Sequence, residues 1–205
     1  STSRVDFGNA LNRVCRDRLR YTSRMISVGI DAIGVAVPRR YLDIVDLAVA
    51  RGVDPGGRLA LAQQRLGRER ALHEERCVVH VAVAEPGEDT VSLAATAATR
   101  ALAGIDRSEL GLLVVGTETG VDHSKPVASF VHGLLELPRA MRVYDTQHAC
   151  YGGTAGLMTA IEWIASGAAG NRAALVICSD IARYGIHTAG EPTQGAGAIA
   201  MVIRR

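Results

Sequence analysis

Lysine is almost missing from this 205-residue chain: of 23 basic residues only Lys125 is lysine, and the other 22 are arginine. Beside 22 glycines and abundant alanine, that skew reads as coding bias, not as a binding surface. Aromatic residues are scarce as well, at 4%. A body with neither a basic stripe nor stacking rings argues against nucleic acid as a partner. The four cysteines, at 15, 77, 150 and 178, lie too far apart for a CxxC pair, a zinc spacing or a dense disulfide framework. A reduced, cytoplasmic compartment is therefore the expectation. No apolar run reaches the length of a membrane span, so no membrane partner is expected.

What is present suits one domain with a sizeable core. The chain is 48% hydrophobic, and its charges nearly balance. The small excess of positive charge is local. Residues 1–24 hold six Arg and two Asp, a net +4, which leaves the remainder at −2. That segment reads as a basic N-terminal extension, with a weak helical stripe (Val5, Leu11, Val14, Leu19), and as an arm or docking helix without catalytic residues. Met25 reads as a native start, because a strand follows at once.

From there strands and helices alternate. Strands are expected at Ile26–Val37, Arg76–Ala84, Gly111–Thr119, Met141–Asp145, Ala173–Ser179 and Ala196–Ile203. Helices are expected at Leu42–Arg51, with Asp43 near its cap, and from Asp54-Pro55 to about Leu66 by the N-cap and N1-proline rule. Further helices are expected at Glu88–Ala103, Lys125–Leu137 and Tyr151–Ser166. This alternation predicts an α/β fold, a mainly parallel mixed sheet with helices on both faces.

Three stretches carry chemistry. In DTQHACYGGTAGL, residues 145–157, a polar turn delivers Cys150 to the start of a Gly-rich helix. A helix N-terminus presents unpaired N–H groups and a positive dipole end, a setting that favours a thiolate nucleophile. The Cys150 N–H could also help hold an oxyanion. The bland alternative is a small buried hydrophobe, the usual fate of a free cysteine, and Cys178 fits it well. Cys15 and Cys77 have no supporting context. Glu118 follows the apolar strand at its C-terminal end, where parallel α/β sheets gather ligand sites. A carboxylate held there in an apolar setting can act as acid or base; a solvated strand-exit carboxylate is the plain alternative. Finally, SDIARYGIHTAGEPTQGAG, residues 179–197, couples a strand-end Asp180 to a glycine-rich loop suited to lining a cleft.

These motifs, in this order, resemble the hydroxymethylglutaryl-CoA synthases of the thiolase-like superfamily. The opening GIDAIGVAVPRRYLDIVDLAVARGVDP has that family's look too, and the likeness covers about residues 26–205. The resemblance implies one repeat of a thiolase-like fold. It implies that Cys150 takes an acetyl group as a thioester and that Glu118 removes a proton from the acetyl methyl. The resulting carbon nucleophile attacks the ketone of a β-ketoacyl thioester, and hydrolysis releases product. Asp54 and Thr193 match substrate-binding positions, and Asp180 matches an aspartate near the substrate. No metal or redox cofactor is implied; CoA or phosphopantetheine thioesters are the substrates.

The resemblance also implies what this stretch does not carry. The family's catalytic histidine belongs to a second, similarly folded half, so His148 is not read as the base. His123, His132 and His187 have no metal-ligand spacing and read as surface or supporting residues. The charged stretch RERALHEER reads as an altered surface excursion. The expectation is one subunit of a split synthase, completed by a C-terminal-half subunit and assembled as a dimer of such pairs, with a fragment of a longer enzyme as the rival. A polyketide β-branching synthase using acyl-carrier protein is the alternative activity. A non-catalytic scaffold beside an active homologue is the alternative of another class.

Overall fold

A computed structural model describes residues 27–52, 80–188 and 190–205. The extension 1–24, Met25, Cys15, Cys77, Asp54 and the helix expected after Asp54 lie outside the described residues.

In chain order the elements are β1 (Gly29–Ala36), β2 (Arg40–Asp43), α1 (Ile44–Ala50), β3 (His80–Val83), α2 (Thr90–Ala101) and β4 (Leu110–Gly116). They continue with α3 (Val127–Leu134), β5 (Arg142–Thr146), α4 (Gly152–Ala165), β6 (Ala173–Ala182) and β7 (Gly195–Arg204). Five strands form one sheet in the order β1-β7-β6-β4-β5. The β5-β4-β6 half is parallel and the β6-β7-β1 half antiparallel. The sheet is thus mixed, as expected, but it is not mainly parallel: two of its four pairings are antiparallel, and the parallel ones gather on one side.

The chain path explains the layers. From β4 the chain crosses through α3 outward to β5, then returns through α4 past β4 to β6. Right-handed crossovers taken in opposite directions put their helices on opposite faces. Accordingly α2 and α3 cover one face and α4 the other. Side chains alternate to match. Leu113, Val115, Leu175 and Ile177 join the α2/α3 core, while Leu112, Val114, Ala174 and Val176 join the α4 core. Every residue of β4 is buried, as a central strand covered on both faces requires.

Helix starts obey their capping chemistry. The Asp43 carboxylate accepts from the Val45 N–H at 2.7 Å and caps α1, as its position suggested. At α2, Asp89 and Ser92 exchange reciprocal bonds in a capping box.

Two further features depart from expectation. Arg40–Asp43 pairs antiparallel with His80–Val83 in a separate two-stranded sheet that the sequence did not reveal. Four residues running straight into a helix cap show no alternation to read. Strand β6 also continues past Ser179 to Ala182, because the small residues Gly195–Ala198 extend its ladder with β7. Asp180 therefore sits within a strand, not beyond it.

Candidate active site

Strands β4 and β5 end level with each other, alongside a point inside the longer β6. Gly116 of β4 lies beside Thr146 of β5 and Cys178 of β6. Glu118 is two residues past the first, Cys150 four past the second, and Asp180 two past the third. The fold thus brings three residues far apart in sequence to one edge of the sheet.

Cys150 is exposed. Its turn is tight: the N–H groups of Tyr151 and Gly152 both donate to the His148 carbonyl, at 2.8 and 2.9 Å. The preceding Ala149 has φ 36°, a left-handed conformation costly for a residue with a Cβ. The Thr146 hydroxyl donates to the Gly152 carbonyl at 2.7 Å and ties the first residue of α4 to the end of β5. His148 packs edge-on against Tyr151, with ring centroids 5.4 Å apart.

The backbone at Glu118 is held by Asp180. One oxygen of that carboxylate, Oδ1, accepts from the Thr117 hydroxyl at 3.0 Å, the Glu118 N–H at 2.8 Å, and the Thr119 N–H and hydroxyl at 3.1 and 2.8 Å. Behind it, the Thr119 hydroxyl accepts the Ile181 N–H at 3.0 Å, and the Thr90 hydroxyl donates to the Thr119 carbonyl at 2.7 Å. The strand exit carrying Glu118 is thereby fastened to β6 and α2. Glu118 itself projects into a cavity of about 310 Å³ lined by Thr117, Glu118, Asp122, His123, Lys125, Asp145 and Gln147, among others. Of the two settings open for Glu118, the structure shows the solvated one. The Glu118 side chain is exposed among polar neighbours, because the apolar run of β4 stops at Gly116 and nothing on the described chain covers the exit.

Asp145 was read only as part of the cysteine motif, yet it shapes the site. Its carboxylate accepts from the N–H groups of Val127 and Ala128 at 2.6 and 2.9 Å, capping α3 from the neighbouring strand. Burial pushes the Asp145 carboxyl above its ordinary 3.8, and this outweighs the two amide bonds that pull it down. The folded chain then holds this proton more tightly than the unfolded chain. The contribution to stability is therefore full below pH 3.8 and is lost as pH rises through the raised value. Asp145→Asn is expected to flatten that part of the pH–stability curve in denaturant titrations. An unchanged curve would show that Asp145 does not produce it.

Thr193 is exposed on a short helical turn, Glu191–Thr193, and its hydroxyl donates to the Gly190 carbonyl at 2.7 Å. It does not border the Glu118 cavity. Cys178 is half-buried, and burial, then the charge of Asp180, pushes its thiol up from 9.0, in keeping with an inert core cysteine. No group of three or more His, Cys, Asp or Glu side chains is placed to hold a metal among the described residues. No described helix is long and apolar enough to cross a membrane. Thr117, Thr119, Thr146 and Asp145 escaped the sequence reading because they act on partners 6 to 63 residues away, and only folding brings those together.

The sequence profile described as hydroxymethylglutaryl-coenzyme A synthase N terminal matches residues 24–205. The chain belongs to the hydroxymethylglutaryl-CoA synthase family. It is 37% identical over 179 residues to the hydroxymethylglutaryl-CoA synthase of Enterococcus faecalis, covering 87% of this chain and 42% of that protein. To the polyketide biosynthesis 3-hydroxy-3-methylglutaryl-ACP synthase PksG of Bacillus subtilis it is 33% identical over 192 residues, again 87% of this chain and 42% of that one. Among solved structures, MvaS in complex with 3-hydroxy-3-methylglutaryl coenzyme A is 62% identical with a TM-score of 0.75, covering 86% of this chain and 40% of that chain. The curacin pathway HMG synthase in complex with apo donor-ACP is 31% identical with a TM-score of 0.72, over 86% and 40%. The chain spans about two fifths of the length of these relatives, and its fold is the thiolase-like fold of their N-terminal half.

Proposed function

We propose that this chain supplies the acyl-loading and proton-abstracting half of a hydroxymethylglutaryl-CoA synthase-type condensing enzyme. The observation that supports this reading is the position of Glu118 and Cys150 just past the ends of two paired parallel strands, in a family whose members are condensing synthases. Cys150 takes the acetyl group from a thioester, releasing the donor thiol. Glu118 accepts a proton from the acetyl methyl, and the carbon left behind attacks the ketone of a β-ketoacyl thioester. Water then cleaves the Cys150 thioester. Thr193 and Asp54 contact the substrate. Acetylation is tested with radiolabelled acetyl-CoA: label is expected on Cys150 and is expected to vanish in Cys150→Ala. Label that persists in that variant, or never appears with the complementary half present, would favour a scaffold.

The complementary half is part of the proposal. On the α4 side of the sheet, Ile33 and Val35 of β1 are 56% and 47% exposed, and Met158 and Ile161 of α4 point away from the core. Apolar side chains gathered on one side suit a packed partner layer. A second, similarly folded half covers this side and supplies the catalytic histidine. Condensation assayed with the chain alone and with that half decides the point. Full activity of the chain alone would overturn it.

The donor is read as acetyl-CoA, in line with the 62% identity to MvaS. A carrier-protein donor is the second reading, favoured by the likeness to PksG and to the ACP-bound curacin synthase. Faster acetylation from acetyl-carrier protein than from acetyl-CoA would select it.

A further inference from the structure

We propose that Arg51 and Glu191 form a positioning pair that holds the Thr193 turn and thereby sets the affinity of this site for its acyl thioester; this rests on the substrate role proposed above for Thr193. The link joining β6 to β7, residues 183–194, is long, and among its described residues the short helical turn Glu191–Thr193 is its one regular element; long, largely irregular loops are often functional. It folds on itself. Thr188 donates to the Gly185 carbonyl from both its N–H and its hydroxyl, and Thr193 does the same to Gly190. Among the described residues, the side chain that ties it to the rest of the molecule is Glu191.

Glu191 is only 5% exposed, the one fully buried charged side chain among the described residues. Both its oxygens are used. Oε2 accepts the His187 N–H at 2.8 Å, bracing the loop within itself at a residue whose φ is +62°. Oε1 accepts Arg51 Nε at 2.8 Å, reaching 140 residues back along the chain. Arg51 is firmly placed, since it closes α1 with its own N–H on the Leu47 and Ala48 carbonyls, at 3.1 Å each. Among the described residues, this is the one side-chain hydrogen bond that joins residues 183–194 to another part of the chain.

An ion pair of this kind, with Glu191 buried and the Arg51 side chain 32% exposed, is a poor device for stability, because desolvation and side-chain ordering offset most of its attraction. It is a good device for geometry, because the buried Glu191 carboxylate loses its charged partner when Arg51 is removed. The hydrogen bond from His187, then Arg51, holds the Glu191 carboxyl below its ordinary 4.5, so the pair stays ionised at neutral pH. Thr193 follows two residues after Glu191 in the same short helical turn. Where the carboxylate is placed, the threonine is placed.

The test compares the full chain, with its complementary half, against Arg51→Met, Glu191→Gln and the double variant. Each single change is expected to raise the acetyl-CoA concentration that half-saturates Cys150 acetylation by about tenfold, with the maximal rate held within about twofold. The double variant is expected to be no worse than either single one, since the two side chains act as one unit. Amide hydrogen exchange is expected to quicken in residues 185–194 and not in β4 or β6, which separates lost positioning from general loosening. Additive effects, a lowered maximal rate at unchanged half-saturation, or unchanged exchange in the loop would overturn the pairing. Absence of acetylation in the unmodified chain would overturn the proposed function, and the affinity role with it; normal acetylation with unchanged half-saturation would overturn this inference alone.

Discussion

Asp180→Ala is expected to slow exchange of the acetyl-methyl hydrogens of acetyl-CoA with solvent by about 100-fold, the effect of shifting a catalytic group by roughly 1 Å. Asp180 need not touch the substrate for this. Four donors from Thr117, Glu118 and Thr119 converge on its single Oδ1. Removing the acceptor frees the whole strand exit that aims Glu118. The same substitution is expected to lower stability by about 3 kcal/mol, because two hydroxyls and two N–H groups lose a charged acceptor together and water can reach only some of them. Asp180→Asn retains an oxygen without the charge and is expected to lose only about 1 kcal/mol. Urea denaturation and mass-spectrometric hydrogen exchange measure the two effects. Exchange of the methyl hydrogens at the unmodified rate in Asp180→Ala would show that the clamp does not position Glu118.

The second large effect belongs to the glycines under α4. A Cβ on Gly116 would lie 2.4 Å from the Gly153 nitrogen, backbone against backbone with no flexible side chain to yield. Gly116→Ala must push the N-terminus of α4 off the sheet, and Cys150 with it. A loss of about 3 kcal/mol, at the upper end for overpacking, is expected together with loss of Cys150 acetylation. Gly153 differs in kind. Its added Cβ would meet the Cys178 Sγ at 2.3 Å, with the Cys178 Cβ next at 3.4 Å. Gly153→Ala should therefore be damaging alone but largely restored by Cys178→Ala, which removes the sulfur and leaves ordinary contact. No second-site change of that kind can relieve Gly116→Ala. Thermal melts of the two singles and the double give the comparison. A double variant no more stable than Gly153→Ala would refute the contact as the cause.

Much of the fold was legible because its signals are local. The Asp43 cap, the buried run Leu112–Val115 and the Gly-rich start of α4 can each be read within a few residues. Cys150 and Glu118 stood out for the same reason, since each sits where a strand ends and the pattern changes. The strand Arg40–Asp43 was illegible because its partners are 37 to 43 residues away and its four side chains show no alternation. The roles of Asp180 and Asp145 were illegible for a related reason. An aspartate at a strand end looks the same whether it faces substrate, water or a neighbouring loop. Asp180 was read by resemblance as a residue near the substrate; its contacts here are with the backbone and hydroxyls that carry Glu118.

The sequence by itself determined the order and type of the main elements and the family, and it singled out Cys150 and Glu118 as the candidates for chemistry. It could do so because hydrophobic period, capping and motif spacing act over a few residues. Tertiary structure alone decided how those atoms are held. The reversal at β5 of the direction in which the chain crosses the sheet placed α3 and α4 on opposite faces and set the ends of β4 and β5 beside Cys178 of β6. That placement lets one oxygen of Asp180 collect four donors, and a separate approach of distant segments lets Arg51 reach Glu191. Such contacts depend on the relative placement of distant backbone, and no local pattern encodes it.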